Sequence, residues 1–148
     1  GACQIFDVML KANWHRFQIL TKRTERLLKL NPSINWQPHI WMGVSAETSD
    51  YMYRIDHLRE TDACVKFVSF EPLLGSFDWI NLDRINWAIV GGESGLKARP
   101  IDISWVLNIK DYCQQQGVPF FFKQWGGRFK RRNGRFLEGK LWNEMPVS

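Results

Sequence analysis

The stretch WAIVGGESG, residues 87–95, decides the fold. Four apolar residues, two of them β-branched, run into two glycines, a glutamate, a serine and a third glycine. A run so short and so continuously apolar reads as a strand buried on both faces, the pattern of a parallel sheet, and the glycines mark where the chain bends sharply out of it. The pattern recurs in RFQIL then TKR (16–23), HIWMGV then SAE (39–47), VKFVSF then EP (65–72) and VPFFF then KQWGG (118–127).

Helical patterns lie between most of these runs. Residues 4–12 place Ile5, Val8, Met9 and Ala12 on one stripe, and residues 24–30 begin with Thr24 as a cap candidate. Thr48 or Ser49 is placed to cap a helix carrying Tyr51, Ile55 and Leu58; Asp102 or Ser104 is placed to cap one carrying Val106, Ile109 and Cys113 up to a stop at Gly117. The stretch from Pro72 to Ile85 is too short and broken for a crossover helix and predicts a turn or a single helical turn. Strands alternating with helices give a doubly wound sheet or a piece of a (β/α) barrel, and no long reversal marks a switch point.

A closed eight-stranded barrel takes about 250 residues, more than the 148 present. The expectation is an α/β fold: a partial (β/α) barrel of five mainly parallel strands with outer helices over 3–127, and a tail over 128–148, read together as one domain. Its free edges and unfilled inner face ask for cover by the N-terminal helix or a second copy, so a homodimer is expected. Asn133-Gly134, inside RFKRRNGRFLEG, predicts a β-hairpin in the tail.

Composition excludes several classes. With 45% apolar residues, eight Trp and ten Phe, the chain is globular. No apolar run is long enough for a membrane span and no secretory leader opens the sequence, so a cytoplasmic protein is expected. Gly1-Ala2, in place of an initiator Met, reads as a cloning remnant or a cut from something longer and is set aside. Cys3, Cys64 and Cys113 form no CxxC pair, and His15, His39 and His57 share no spacing with them. Neither a disulfide framework, a metal site nor a Ser/His triad is signalled.

The net charge of +5 is concentrated in the tail, where six Lys/Arg face two Glu. Arg128, Lys130, Arg131, Arg132 and Arg135 form a candidate nucleic-acid contact, set against the plainer reading of a solvated basic hairpin.

In parallel β/α architectures the loops after the strands open on one face. The strand ends supply Lys22 and Arg23, Ser45 and Glu47, Ser69 and Glu71, Gly91, Gly92, Glu93 and Ser94, and Lys123, Gln124 and Trp125. Such a mixed ring suits a small zwitterionic, phosphorylated or nucleotide-like ligand, with cations on its acid group and Glu on its amine. The alternative is that these charges pair with one another structurally. GGESGLKARP fits neither a Rossmann nor a Walker loop, so a nucleotide-phosphate cradle is not expected there.

The ordered blocks LTKR, GVSAE, FVSFEPLLG, WAIVGGESG, ARPID, GVPFFFKQWG and LWNEMP carry a resemblance over nearly the whole chain from about Ile5. The sequence resembles an uncharacterised phage- and mobile-element-associated, three-cysteine, radical-SAM-like family. The resemblance implies a barrel related to radical S-adenosylmethionine proteins, with S-adenosylmethionine and an iron–sulfur cluster in full-length members, the cluster held by a cysteine motif near the family's N-terminus. This chain lacks that motif and the family's first two strands, so no cofactor is expected in it and catalysis by it alone is not expected. Gly91-Gly92-Glu93 is similar to a segment with which radical-SAM proteins hold the methionine amine, but it lies on a later strand, and the role is not transferred. Three functions follow as expectations: a cluster-less barrel that binds a small ligand, the C-terminal part of a radical-SAM-like enzyme, or an oligomeric interaction protein with a basic hairpin.

Overall fold

The computed structural model describes residues 2–146, with side chains from Gln4 onward. Five strands, β1 (Phe17–Thr21), β2 (Ile40–Ser45), β3 (Val65–Phe70), β4 (Trp87–Gly91) and β5 (Phe120–Gln124), form one all-parallel sheet in the order β1-β2-β3-β4-β5. Sequence neighbours are sheet neighbours throughout, so the chain advances in one direction and has no switch point, the order of an open barrel segment. The helices are α1 (Ala2–Lys11), α2 (Thr24–Leu30), α3 (Met52–Glu60), α4 (Ile103–Gln116) and the single turn α5 (Lys130–Asn133).

Alternation along each strand splits the sheet into two faces. One face, with Ile40, Met42, Val44, Val68, Phe70, Ala88, Val90, Phe120 and Phe122 almost wholly buried, joins Ile55 and Leu58 of α3 and Val106, Ile109 and Cys113 of α4 in the main core. The opposite face carries a separate cluster of Trp41, Phe67 and Trp87. The second cluster is why these strands are apolar at every position, rather than at every other one.

Between β3 and β4 there is no helix or strand among the described residues, as expected. Leu73, Phe77, Ile80, Leu82 and Ile85 nonetheless occupy the helix layer, all buried. Side chains satisfy the carbonyls that a helix would have satisfied itself: the Tyr112 hydroxyl donates to Phe77 O at 2.7 Å, Gln116 Nε2 to Ile80 O at 2.9 Å, and Arg59 Nε to Asp83 O at 2.9 Å.

Three local expectations change. Thr24 is the first residue of α2 rather than its cap, and its hydroxyl instead pairs with His57 Nδ1 at 2.8 Å. Thr48 precedes a 3₁₀ turn at Ser49–Tyr51 and makes no side-chain capping bond. The hairpin is displaced. Asn133-Gly134 closes the α5 turn: Gly134 sits at φ 69° just past the helix and Asn133 Nδ2 donates to Gly126 O at 2.7 Å. The tight turn lies at Glu138-Gly139, with φ of 51° and 76°, where Leu137 and Lys140 exchange backbone hydrogen bonds. Two successive positive φ values are what a type I′ turn needs.

Candidate functional site

Because all five strands run parallel, their C-terminal ends share one edge of the sheet. Toward the opposite edge, the sheet face away from the main core is plugged. Trp87 meets Trp41 edge-on with centroids 5.7 Å apart, and lies 5.8 Å from Phe67 and 5.9 Å from Phe121. Gly43 makes this possible, since a Cβ there would stand 2.3 Å from atoms of the Phe67 ring. The Trp87 indole donates to Glu144 O at 2.8 Å, and the Arg16 guanidinium stands 4.3 Å from the centre of Trp41.

Above the plug, toward the strand C-terminal ends, the same face opens into a pocket of about 380 Å³. Its apolar lining is Leu20, Phe67, Trp87, Ile89 and Phe121, and its polar groups are Gln18, Ser69, Glu71, Lys123 and Arg135. Lys123 Nζ donates to Glu71 Oε1 at 3.1 Å, and both side chains keep solvent access. An exposed pair of this kind adds little to stability and exchanges readily for a ligand's charges. Gly91 leaves the space that the Glu71 carboxylate fills. The Arg135 guanidinium, 5.3 Å above Phe121, donates through Nη2 to Asn143 Oδ1, while its Nε is buried without a hydrogen-bond partner.

The remaining residues of the expected ring are tied elsewhere. Glu47 is buried between Arg54, 3.3 Å away, and Lys22, 3.1 Å away; Arg54 also donates to Ser45 O at 3.0 Å and stacks on Tyr51. Arg23 lines a different groove, beside α2. Glu93 holds Arg99 through both carboxylate oxygens, at 3.0 and 2.7 Å, and accepts from the Arg99 backbone as well. These bonds hold its carboxyl down at about 2. Gln124 Nε2 donates to Ser94 Oγ at 3.1 Å, and Trp125 Nε1 to Phe136 O at 2.8 Å. Gly92 and Gly126 let the loops after β4 and β5 interlock at backbone distance: a Cβ on Gly92 would overlap the Trp125 carbonyl, and one on Gly126 the Glu93 carbonyl. So Ser69, Glu71 and Lys123 come together over Gly91, with Glu71 and Lys123 paired to each other as Glu47 and Lys22 are, whereas Glu93 pairs with Arg99, outside the expected ring.

Gln18, Leu20, Phe67, Trp87, Ile89 and Phe121 line the pocket without having been singled out as site residues. The signal was available: counting back in twos from Ser69, Gly91 and Lys123 reaches Phe67, Ile89, Trp87 and Phe121. Arg135, expected on a basic hairpin, reaches inward.

The described residues do not fit the iron–sulfur cluster that the resemblance implies. Cys64 is exposed just before β3, at the far edge from the pocket; Cys113 is buried on α4, its thiol pushed up to about 12 by burial. The Cys3 side chain lies outside the description, and no group of three or more His, Cys, Asp or Glu suited to a metal exists among the described residues. No described helix is long and apolar enough to cross a membrane.

Comparison with curated proteins and with solved structures gives no match. A family model does match, over residues 2–146, and by it the chain belongs to DUF5131, a family of proteins of unknown function.

Proposed function

We propose that this chain is a radical-SAM-like half barrel whose concave pocket binds a small polar or nucleotide-like ligand, acting as a binding module rather than a catalyst on its own. The observation that carries the reading is the juxtaposition of an aromatic floor, Phe67, Trp87 and Phe121, with an ion-pair rim, Glu71 and Lys123, in one pocket. A flat heterocycle gains contact area on the floor, while an amino-acid head offers its amine to Glu71 and its carboxylate to Lys123. S-Adenosylmethionine, which the family resemblance implies, has both parts. The same resemblance supports an origin in phage or other mobile elements.

Calorimetry with S-adenosylmethionine, S-adenosylhomocysteine, adenosine and methionine tests this. The two-part ligands should bind, and Glu71→Gln or Lys123→Met should each weaken them about tenfold or more, the loss of one charge-assisted bond. Absence of binding by all four compounds, or binding indifferent to both substitutions, would overturn the assignment.

A second reading is favoured by one observation: Leu20, on β1, is 51% exposed at the open side of the pocket. Further barrel strands lying against β1 would cover it, as in an enzyme of which this chain is the C-terminal part. An upstream in-frame segment with a three-cysteine motif is what that reading expects. A second copy pairing along β1 would cover the same side, and sedimentation across a concentration series separates a homodimer from a monomer.

A further inference from the structure

Lys22 and Arg23, which sequence alone placed with the small-molecule site, instead border a groove of about 420 Å³ between α2 and α3. Arg26 and Lys29 of α2 line it with them, and Tyr53 of α3 forms the opposite wall. Arg23 immediately precedes α2, and Arg26 and Lys29 follow within it at the same three-residue spacing, about 4.5 Å apart along the helix axis. Lys22 pairs with Glu47, but among the described residues no ion pair engages Arg23, Arg26 or Lys29. Glu25 is the single acid on the rim. Tyr53 is 43% exposed although its ring touches His57, at 5.6 Å between centroids.

We propose that this groove binds single-stranded nucleic acid, with Arg23, Arg26 and Lys29 following the phosphates and Tyr53 stacking a base. A row of cations suits a linear polyanion better than one phosphate, and an exposed aromatic ring beside the row is the feature that distinguishes single strands, whose bases are free to stack, from a duplex. The site is separate from the concave pocket and independent of the reading given for it.

Fluorescence anisotropy of a labelled twelve-residue oligo-dT tests the proposal on the full chain, with the matching duplex and inorganic polyphosphate as competitors. Single-stranded binding should weaken with salt, the log–log slope falling by about 0.7 for each phosphate contact removed. Arg26→Ala/Lys29→Ala should therefore flatten the slope by about 1.4. Tyr53→Ala should weaken binding about tenfold with the slope unchanged, and Tyr53→Phe, which keeps the ring, should bind like the parent. Arg131→Ala/Arg132→Ala in the tail should leave the affinity nearly unchanged. Failure to bind at low salt, equal or tighter binding of the duplex, indifference to Tyr53→Ala with polyphosphate competing as well as oligo-dT, or a loss confined to the Arg131/Arg132 variant would each overturn the proposal.

Discussion

Two adjacent glycines at the end of β4 meet different neighbours. Gly91 makes room for the Glu71 carboxylate, a side chain that can yield, whereas Gly92 faces the Trp125 carbonyl, which is backbone and cannot. Gly92→Ala should therefore cost about 1–3 kcal/mol, the range for overpacking a filled site, and more if the loop after β5 detaches; urea denaturation measures it. The sequence could place these glycines at a strand end but not name what presses on them, because Glu71 stands at the end of the preceding strand and Trp125 just past the following one, both far off along the chain. Beside them, the Glu93–Arg99 pair makes a pH prediction. With the carboxyl held at about 2 against an ordinary 4.5, the pair's contribution is complete above about pH 4.5 and is lost as pH falls toward 2. Melting temperatures across that window should fall less steeply for Glu93→Gln than for the parent; equal slopes would mean that the pair does not persist in solution.

At the scale of elements, legibility followed the locality of the cause. The run VKFVSF coincides with β3, and residues 24–30 with α2, because the signals that set them are carried within the segments themselves. Helix α4 was legible down to its ends: Asp102 Oδ1 accepts from Ser104 N at 2.8 Å, and Gly117 adopts φ 68° just past the helix. Asp102→Ala should lower stability, as the loss of other caps does, and Asp102→Asn should lower it considerably less. The difference is readable in chemical denaturation midpoints at constant m. The tail misled because Asn-Gly favours positive φ wherever it occurs, and a helix end uses that freedom as readily as a hairpin does. What moved the turn to Glu138-Gly139 is tertiary: Leu137 is wholly buried, and the Trp142 indole donates to its carbonyl at 2.9 Å. The pocket was half legible for a related reason. Strand ends gave Ser69, Glu71 and Lys123, but which apolar residues lie on the open face depends on the two-sided burial that makes parallel strands look uniform.

For the molecule as a whole, the two edges of the sheet differ, and the difference can be measured amide by amide. The outer side of β5 is closed by the chain's own tail, which runs antiparallel to it: Phe122 N donates to Trp142 O at 2.9 Å, Glu144 N to Phe120 O at 3.2 Å, and Phe120 N to the Glu144 side chain at 3.0 Å. Trp142 anchors this cover, edge-on to Phe120 and with the ammonium groups of Lys110 and Lys140 over its ring. No described strand pairs with the free side of β1. Phe17 N donates to His39 O, toward β2, so the two-residue period turns the Gln18 and Leu20 amides outward. Hydrogen exchange in the monomer should therefore find Gln18 and Leu20 nearly unprotected, with Phe120 and Phe122 protected although they too lie on the last strand. Glu144→Ala sharpens the test, since it removes the side-chain acceptor of Phe120 while leaving the backbone acceptor of Phe122. Exchange at Phe120 should accelerate and that at Phe122 should not; a matched rise at both would mean that the carboxylate holds the whole tail in place rather than capping one amide.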